Sequence, residues 1–301
     1  MPSFSHPYLD LKRMEMLRRV RLKPRGVAEG SLAGPHRSNY RGTAVEFADF
    51  RDYVHGDDIR LLDWKLHART DKYYIRLYEA ERNLLGYLVC DTSGSMGFAG
   101  AVTRTQSKLE YAGRLAAAIA YLVIDGGDQA GLSLARTEVD DHLPPRAGFQ
   151  HLARMVRRLG ETEAAGGTDL GACLRGVYRR IRQRGVLIVL SDFLDDSEGL
   201  WQGIDLFRQS QFDVMLFHIV HPEEIELPDV PTARFLPCEG EGGAFTVEPD
   251  VLRDLYRRRF AQHLNGVEGA ARKRGCDWFL ARTDTDPYLL LKQSFLARQV
   301  V

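Results

Sequence analysis

Short apolar segments alternate with segments of helical pattern through most of this chain. The clearest apolar segment is GVLIVLSD (185–192), an unbroken hydrophobic run that ends in a carboxylate. Such a run is typical of a strand that is buried on both faces of a parallel sheet. Because strands and helices alternate, the sequence predicts an α/β fold with a doubly wound, mostly parallel sheet and helices on both faces.

Residue periodicity and turn signals give the predicted elements. Strands are predicted at 73–81, 84–90, 185–192, 212–220 and 276–282, with a hairpin formed by 129–137 and 140–146. Helices are predicted at 6–22, 105–125, 149–159, 169–183, 198–209, 249–274 and from about 287. Before the first strand, Phe47, Phe50 and Tyr53 recur at spacing three, which indicates a short helical segment. A Gly-Asp-Asp turn then leads to a second short helical segment.

The domain organisation is predicted from where large apolar residues concentrate. Residues 1–72 hold only a few of them and would make a marginal domain alone. We therefore predict that 1–72 is an N-terminal extension packed on the sheet, and that 73–301 is the α/β domain.

Composition excludes several classes of function. Lys plus Arg and Asp plus Glu both number 41, so no global field favours nucleic acid or a membrane surface. The longest apolar run, 115–124, is half the length of the roughly 20 residues that a bilayer span requires, and no signal peptide is evident. The expected location is cytoplasmic, without stable membrane insertion. The four cysteines lack Cys-x-x-Cys spacing, which argues against a zinc site or a disulfide framework.

Polar residues with oxygen-bearing side chains follow the predicted strands. The stretch YLVCDTSGSMG (87–97) ends a strand in Asp91, Ser93 and Ser95. Thr168 follows paired glycines at the start of a helix, and Asp192 ends the strand 185–192. Because ligands gather beyond the carboxyl ends of parallel strands, we expect these five side chains to meet.

Five oxygen donors with few carboxylates suit a hard cation. Mg²⁺ prefers six oxygen ligands and keeps several waters, and Mn²⁺ is the alternative. If the neutral hydroxyls bind directly and the two aspartates act through water, the charge of the cation is only partly neutralised. A sixth position then stays open for a carboxylate from another molecule.

This constellation resembles the metal-ion-dependent adhesion site of von Willebrand factor A domains. All three motif elements of that site match, at Asp91, Ser93, Ser95, Thr168 and Asp192. An isolated Asp-x-Ser-x-Ser has many chance matches, whereas three elements in order on strand-to-helix loops are a strong signal. The alternative is that the motif residues only cap turns.

A second resemblance covers essentially the whole chain. The stretches RGTAVEFADFRDYVHGDDIRLLDWKLHART and ERNLLGYLVCDTSGSM are similar to the bacterial domain-of-unknown-function-58 family. That resemblance implies partnership with a MoxR-type AAA+ ATPase in chaperone-like maturation or insertion of a client protein. It also implies a von Willebrand factor A-like domain behind the signature segment.

The signature residues allow two interpretations. Adjacent aspartates after Gly56 more often make a turn and cap a helix than bind a metal. Trp64 is expected to anchor the segment against the sheet, with Arg69 paired to a carboxylate. The remaining hypothesis is that three arginines form a surface that faces a partner; they are Arg51, Arg60 and Arg69.

Two classes of function remain. A metal-dependent adaptor needs no nucleophile or general base, and it would bind an Asp or Glu of a partner through the cation. A serine hydrolase is the rival, since SGSMG is one substitution from a Gly-x-Ser-x-Gly elbow. It would use Ser95 with Asp192 and either His218 or His221. The sequence favours the non-enzymatic adaptor, because the hydrolase leaves Asp91 and Thr168 without a role.

Overall fold

The computed structural model describes residues 7–17, 20, 22, 45–80, 84–103, 105–195, 197–236, 238 and 243–299. The helices of this part are α1 (Leu11–Met14), α2 (Trp64–Thr70), α3 (Lys108–Asp125), α4 (Phe149–Glu161), α5 (Leu170–Arg180), α6 (Glu198–Gln209), α7 (Pro222–Ile225), α8 (Pro249–Lys273) and α9 (Pro287–Gln299). The strands are β1 (Val45–Asp52), β2 (Tyr74–Ala80), β3 (Leu85–Asp91), β4 (Gln129–Ala135), β5 (Val139–Arg146), β6 (Val186–Ser191), β7 (Asp213–Val220), β8 (Ala233–Phe235), β9 (Phe245–Val247) and β10 (Asp277–Arg282). Turns of 3₁₀ helix lie at Glu15–Leu17, Ile59–Leu61 and Gly94–Gly97.

The chain divides into two compact units. The main unit comprises Met1–Gly26 and Leu84–Val301, and the small unit comprises Val27–Asn83. The predicted domain boundary between residues 72 and 73 stays a prediction.

The main unit is built on a sheet with the order β10-β7-β6-β3-β4-β5 among the described strands. Neighbours from β10 to β4 are parallel, and only β5 runs antiparallel, as the hairpin partner of β4. Every residue of β3, β6 and β7 is buried, which explains their unbroken apolar sequences. The predicted doubly wound, mostly parallel fold is confirmed.

Helices cover both faces of this sheet. Helices α3, α4 and α9 pack on one face, and α5, α6 and α8 pack on the other. The apolar run 115–124 lies in α3 and is buried between the sheet and its neighbours, apart from the half-buried Tyr121. Such a run is long enough for a core helix and too short for a bilayer. Within the described residues, no helix has the length and apolar character needed to span a membrane.

The order of the strands reverses next to β3. From β3 the chain passes through α3 to β4 on one side, and it returns later to β6 on the other side. The carboxyl ends of β3 and β6 therefore lie side by side where the connections diverge to opposite faces. In open α/β sheets this is the place where ligands bind.

The N-terminal segment is less helical than its periodicity predicts. Helix α1 has four residues and continues as a 3₁₀ turn, so the helix predicted at 6–22 is wrong in length; part of that range lies outside the described residues. Leu9, Met14 and Leu17 are buried in the main core. Tertiary contacts fix the segment, including a 2.8 Å hydrogen bond from the Asp10 N–H to the Tyr288 hydroxyl of α9.

The small unit pairs β1 with β2 in an antiparallel ladder. The short helix predicted from Phe47, Phe50 and Tyr53 is wrong, because Val45–Asp52 is a strand with a bulge between Phe47 and Asp49. That bulge shifts the register by one residue, and such a shift disguises the period-two pattern of a strand.

Candidate metal centre

Three loops bring the predicted ligands to the carboxyl edge of the sheet. Asp91 ends β3, and Ser93 and Ser95 lie in the turn that follows it. Asp192 directly follows the adjacent strand β6. Thr168 lies two residues before α5 and lines the same pocket as Ser95.

Backbone hydrogen bonds join the first and third loops. The Gly94 N–H donates to the Gly166 carbonyl at 2.8 Å, and the Ala165 N–H donates to the Thr92 carbonyl at 3.1 Å. A Cβ at Gly94 would lie 2.3 Å from the Cys238 carbonyl oxygen, so only glycine permits this approach. Gly94 therefore serves close packing between loops, whereas Gly166 has a φ of +74°, a conformation that favours glycine.

Asp91 lies at the back of the site and is 1% exposed. Its Oδ1 accepts the Ser93 N–H at 2.9 Å, and its Oδ2 accepts the Ser191 hydroxyl at 2.6 Å. Burial and the neighbouring Asp192 carboxylate raise the pKa of Asp91 to about 6. A nearby cation would stabilise the anionic form of both neighbouring carboxylates, Asp91 and Asp192.

Asp192 already has a cationic neighbour. The Lys108 ammonium donates to its Oδ2 at 2.8 Å, the Leu194 N–H donates to its Oδ1 at 3.2 Å, and Ser95 also hydrogen-bonds to it. Burial alone would raise the pKa of Asp192, but Lys108 holds it below its usual value. Asp192 is therefore an anion in this site.

Sequence reasoning missed Lys108. Ser107 and Glu110 form a capping box that starts α3, so Lys108 is the first helical residue. A lysine there is normally solvated, since the positive end of the helix dipole disfavours a cation. Here its side chain is 0% exposed and also donates to Glu224 Oε1 at 2.5 Å. The capping box in the sequence could have placed Lys108 at the start of a helix, but it could not have predicted that the side chain points into the site.

Sequence reasoning also missed Ser191. Its hydroxyl donates to Asp91 and accepts the Phe193 N–H at 2.9 Å. Phe193 has φ +50°, a left-handed conformation that is uncommon for a bulky residue. Ser191 thus orients the predicted ligand Asp91. It also fixes the strained turn at Phe193, which follows the predicted ligand Asp192.

The donor set fits a hard divalent cation. An open pocket of about 380 Å³ is lined by Ser95, Thr168, Leu194, Asp195 and Cys238. Thr168 Oγ1 is buried and has no hydrogen-bond partner among the described residues, which is costly unless a ligand or water satisfies it.

The same part of the chain holds no group of three His, Cys, Asp or Glu side chains arranged for a metal. A cation here would therefore need hydroxyl ligands. The assignment of Asp91, Ser93, Ser95, Thr168 and Asp192 as ligands stays a prediction.

The two histidines of the rival hydrolase differ in their contacts. His221 Nε2 lies 3.0 Å from Thr105 Oγ1, and its Nδ1 accepts the Glu223 N–H at 3.2 Å. His218 is buried and packs edge-on against Phe193. Its pKa is lowered to about 3 by burial and then by His263.

Some signature residues of the small unit cap local turns and helices, and others are exposed to solvent. The Asp58 carboxylate caps the 3₁₀ turn, as the capping interpretation predicts for the aspartates after Gly56, and the Asp63 carboxylate caps α2. Trp64 is 60% exposed, and its predicted role as an anchor against the sheet stays a prediction.

The three arginines of the proposed partner surface differ in their contacts. Arg51 pairs with Asp57 at 3.0 Å. Arg60 and Arg69 are exposed, and neither makes an ion pair among the described residues. The expected carboxylate partner of Arg69 is not found in the described part of the chain, and the partner-facing role of the three stays a prediction.

A family model described as "Protein of unknown function DUF58" matches residues 49–266. The chain belongs to this family. Its relatives include the uncharacterized protein Rv1480 of Mycobacterium tuberculosis, 31% identical over 281 residues that cover 92% of this chain and 87% of that protein. The uncharacterized protein Mb1516 of Mycobacterium bovis matches with the same identity and coverage.

Solved structures with a similar arrangement include the hypothetical protein BatB of Bacteroides thetaiotaomicron. It is 18% identical, with a TM-score of 0.47 over 72% of this DUF58 chain and 99% of the other. The SpRpn10 VWA domain is 12% identical, with a TM-score of 0.40 over 70% and 95% of the two chains. The strand order described above, rather than these distant likenesses, carries the fold assignment.

Proposed function

We propose that this DUF58 protein is a non-enzymatic, metal-dependent protein-interaction module. Asp91, Ser93, Ser95, Thr168 and Asp192 would hold Mg²⁺, or Mn²⁺ in its place. The observation that carries the proposal is Thr168 Oγ1, a buried oxygen without a described partner beside the pocket that it shares with Ser95. A bound cation would supply an electrophilic attachment point for an Asp or Glu carboxylate of a partner.

The division between charged and neutral donors supports binding over catalysis. Asp91 and Asp192, which are 1% and 3% exposed, supply the negative charge from the buried side of the site. Ser93, Ser95 and Thr168 contribute neutral oxygens, so much of the positive charge would face the pocket. The ring nitrogens of His221 are committed to Thr105 and Glu223, so this residue is not placed as a general base for Ser95.

The partner class follows from the family resemblance. A MoxR-type AAA+ ATPase, or a client protein presenting an Asp or Glu, would supply the carboxylate during chaperone-like maturation of that client. The exposed Arg60 and Arg69 of the small unit offer two cations for a second contact.

Metal binding is tested first. The full-length chain, stripped of metal, is titrated with MgCl₂ and MnCl₂ in a calorimeter. Binding is expected in the wild type, is lost in Asp91→Ala, and is retained in Asp195→Asn. Asp195 is the matched control because it lines the pocket without belonging to the five ligands. Equal heats from wild type and Asp91→Ala would contradict the metal site.

Partner binding is tested with a purified MoxR-type ATPase from the source organism. Capture should be lost on chelation and in Asp91→Ala, but not in Asp195→Asn. Capture that survives both chelation and Asp91→Ala rules out a metal-bridged contact. Turnover of generic esters that disappears in Ser95→Ala would favour the hydrolase instead.

A further inference from the structure

Lys108 places a fixed positive charge inside the candidate metal centre. Its side chain is 0% exposed, and its ammonium lies 2.8 Å from Asp192 Oδ2 and 2.5 Å from Glu224 Oε1. The ammonium is therefore charged and shared between Asp192, a predicted metal ligand, and Glu224, which is not one.

Glu224 is held where it can draw on this ammonium. It lies in α7, and its second oxygen accepts the His221 N–H at 2.8 Å in a capping box. The adjacent Glu223 accepts N–H groups from Ala101 and Thr103 at 2.6 and 2.8 Å. These bonds fix the position of α7, and with it the distance from Glu224 to Lys108.

A divalent cation at the site would share Asp192 with this ammonium. Like charges repel strongly in a buried site, and an oxygen that accepts from an ammonium has less capacity for a metal or its water. We infer that Lys108 competes with the cation for Asp192, and that Glu224 weakens this competition by holding part of the ammonium. The pair then sets how tightly the site binds its cation. This inference rests on the proposed metal site.

Two substitutions test it because they move the affinity in opposite directions. Lys108→Met keeps much of the side-chain volume and removes the competing charge, so Mg²⁺ should bind about tenfold more tightly. Glu224→Gln leaves the ammonium to Asp192 alone, so Mg²⁺ should bind at least about threefold more weakly. A purely structural role for the two residues would weaken binding in both variants.

The matched control is Arg298→Met at the opposite edge of the sheet. Arg298 is also a buried cation between two aspartates, Asp213 and Asp277. Its removal should destabilise the protein without changing the affinity for Mg²⁺. If Lys108→Met does not fold, Lys108→Gln takes its place, since Gln also removes the charge but keeps a hydrogen-bond donor for the neighbouring carboxylates, and Mg²⁺ should again bind more tightly.

Calorimetric titration of the full-length variants with MgCl₂, and melting curves with and without Mg²⁺, measure these effects. Tighter binding in Lys108→Met, with a larger Mg²⁺-dependent rise in Tm than in the wild type, together with weaker binding in Glu224→Gln, supports the inference. If the wild type binds Mg²⁺ and Lys108→Met binds it equally or more weakly, the inference is overturned and the metal site stands. If the wild type binds neither Mg²⁺ nor Mn²⁺, the metal site itself fails and the inference fails with it.

Discussion

The Ser191 hydroxyl donates a 2.6 Å hydrogen bond to Asp91 Oδ2 from the neighbouring strand. This bond spans the two central strands of the sheet, and it holds the Asp91 carboxylate in one orientation. A non-ligand serine thus takes part in organising the candidate metal centre.

Ser191→Ala should therefore weaken Mg²⁺ binding by about tenfold, because Asp91 is no longer held in place. It should also lower the free energy of unfolding by about 1–3 kcal/mol, since the buried Phe193 N–H loses its acceptor. Calorimetry and urea unfolding measure the two effects. Ser133→Ala is the control, because Ser133 is equally buried and its hydroxyl bonds to His142 away from the site. It should lose stability but keep its affinity for Mg²⁺.

Thr168→Val should separate stability from binding. Valine keeps the shape of threonine and removes a buried oxygen without a described partner, so the metal-free protein should gain about 1 kcal/mol. The same change removes a predicted ligand, so Mg²⁺ binding should weaken. Thr168→Ser retains the hydroxyl and should bind Mg²⁺ like the wild type. A loss of stability in Thr168→Val with unchanged Mg²⁺ binding would mean that this oxygen has a structural partner instead.

Glu223 should make stability depend on pH. Burial alone would raise its pKa, but hydrogen bonds from Thr103 and Ala101 lower the pKa from 4.5 to about 2. Because the folded-state value lies below the unfolded one, Glu223 stabilises the fold fully above pH 4.5 and loses this contribution as the pH falls toward 2. A shift of this size corresponds to about 3 kcal/mol.

Urea unfolding at several pH values measures this contribution as the difference between wild type and Glu223→Gln. The difference should be largest at neutral pH and should shrink in acid. Glu198→Gln, which changes an exposed carboxylate of α6, is the control and should show no such trend. If the difference in unfolding free energy stays constant with pH, the stabilisation comes from the shape of the Glu223 side chain rather than from its charge.

Arg298 should be among the most sensitive residues for stability. It pairs with the buried Asp213 and with Asp277, the latter at 2.8 Å, and so joins α9 to the amino ends of β7 and β10. Arg298→Met would leave both carboxylates buried without this cation and should cost about 3–5 kcal/mol. Arg282→Met breaks a surface pair with Asp284, 45% and 44% exposed, and should cost about 1 kcal/mol or less. Equal costs in urea unfolding would contradict the difference in burial.

Local sequence pattern was enough to predict the sheet and the strand ends at which Asp91 and Asp192 lie. A strand that is buried on both faces has an unbroken apolar sequence, and the loop that carries ligands begins where a parallel strand ends. Both features can therefore be recognised from consecutive residues. Lys108 and Ser191 were different. Each depends on the direction of one side chain, which packing between distant segments decides. The bulge at Phe47 likewise changed a strand period into a helix-like spacing.

Gly94 and Gly266 provide the last prediction, because alanine should act in opposite directions at the two positions. A Cβ at Gly94 would lie 2.3 Å from the Cys238 carbonyl and 3.1 Å from the Gly166 carbonyl. Gly94→Ala must therefore push the ligand loops apart, and it should abolish Mg²⁺ binding as well as lower stability. Gly266 lies inside α8 with nothing within 4 Å of its Cβ position, so Gly266→Ala should stabilise the protein by about 0.5–1 kcal/mol. Normal Mg²⁺ binding by a folded Gly94→Ala variant would show that close contact between these loops is not required for the site.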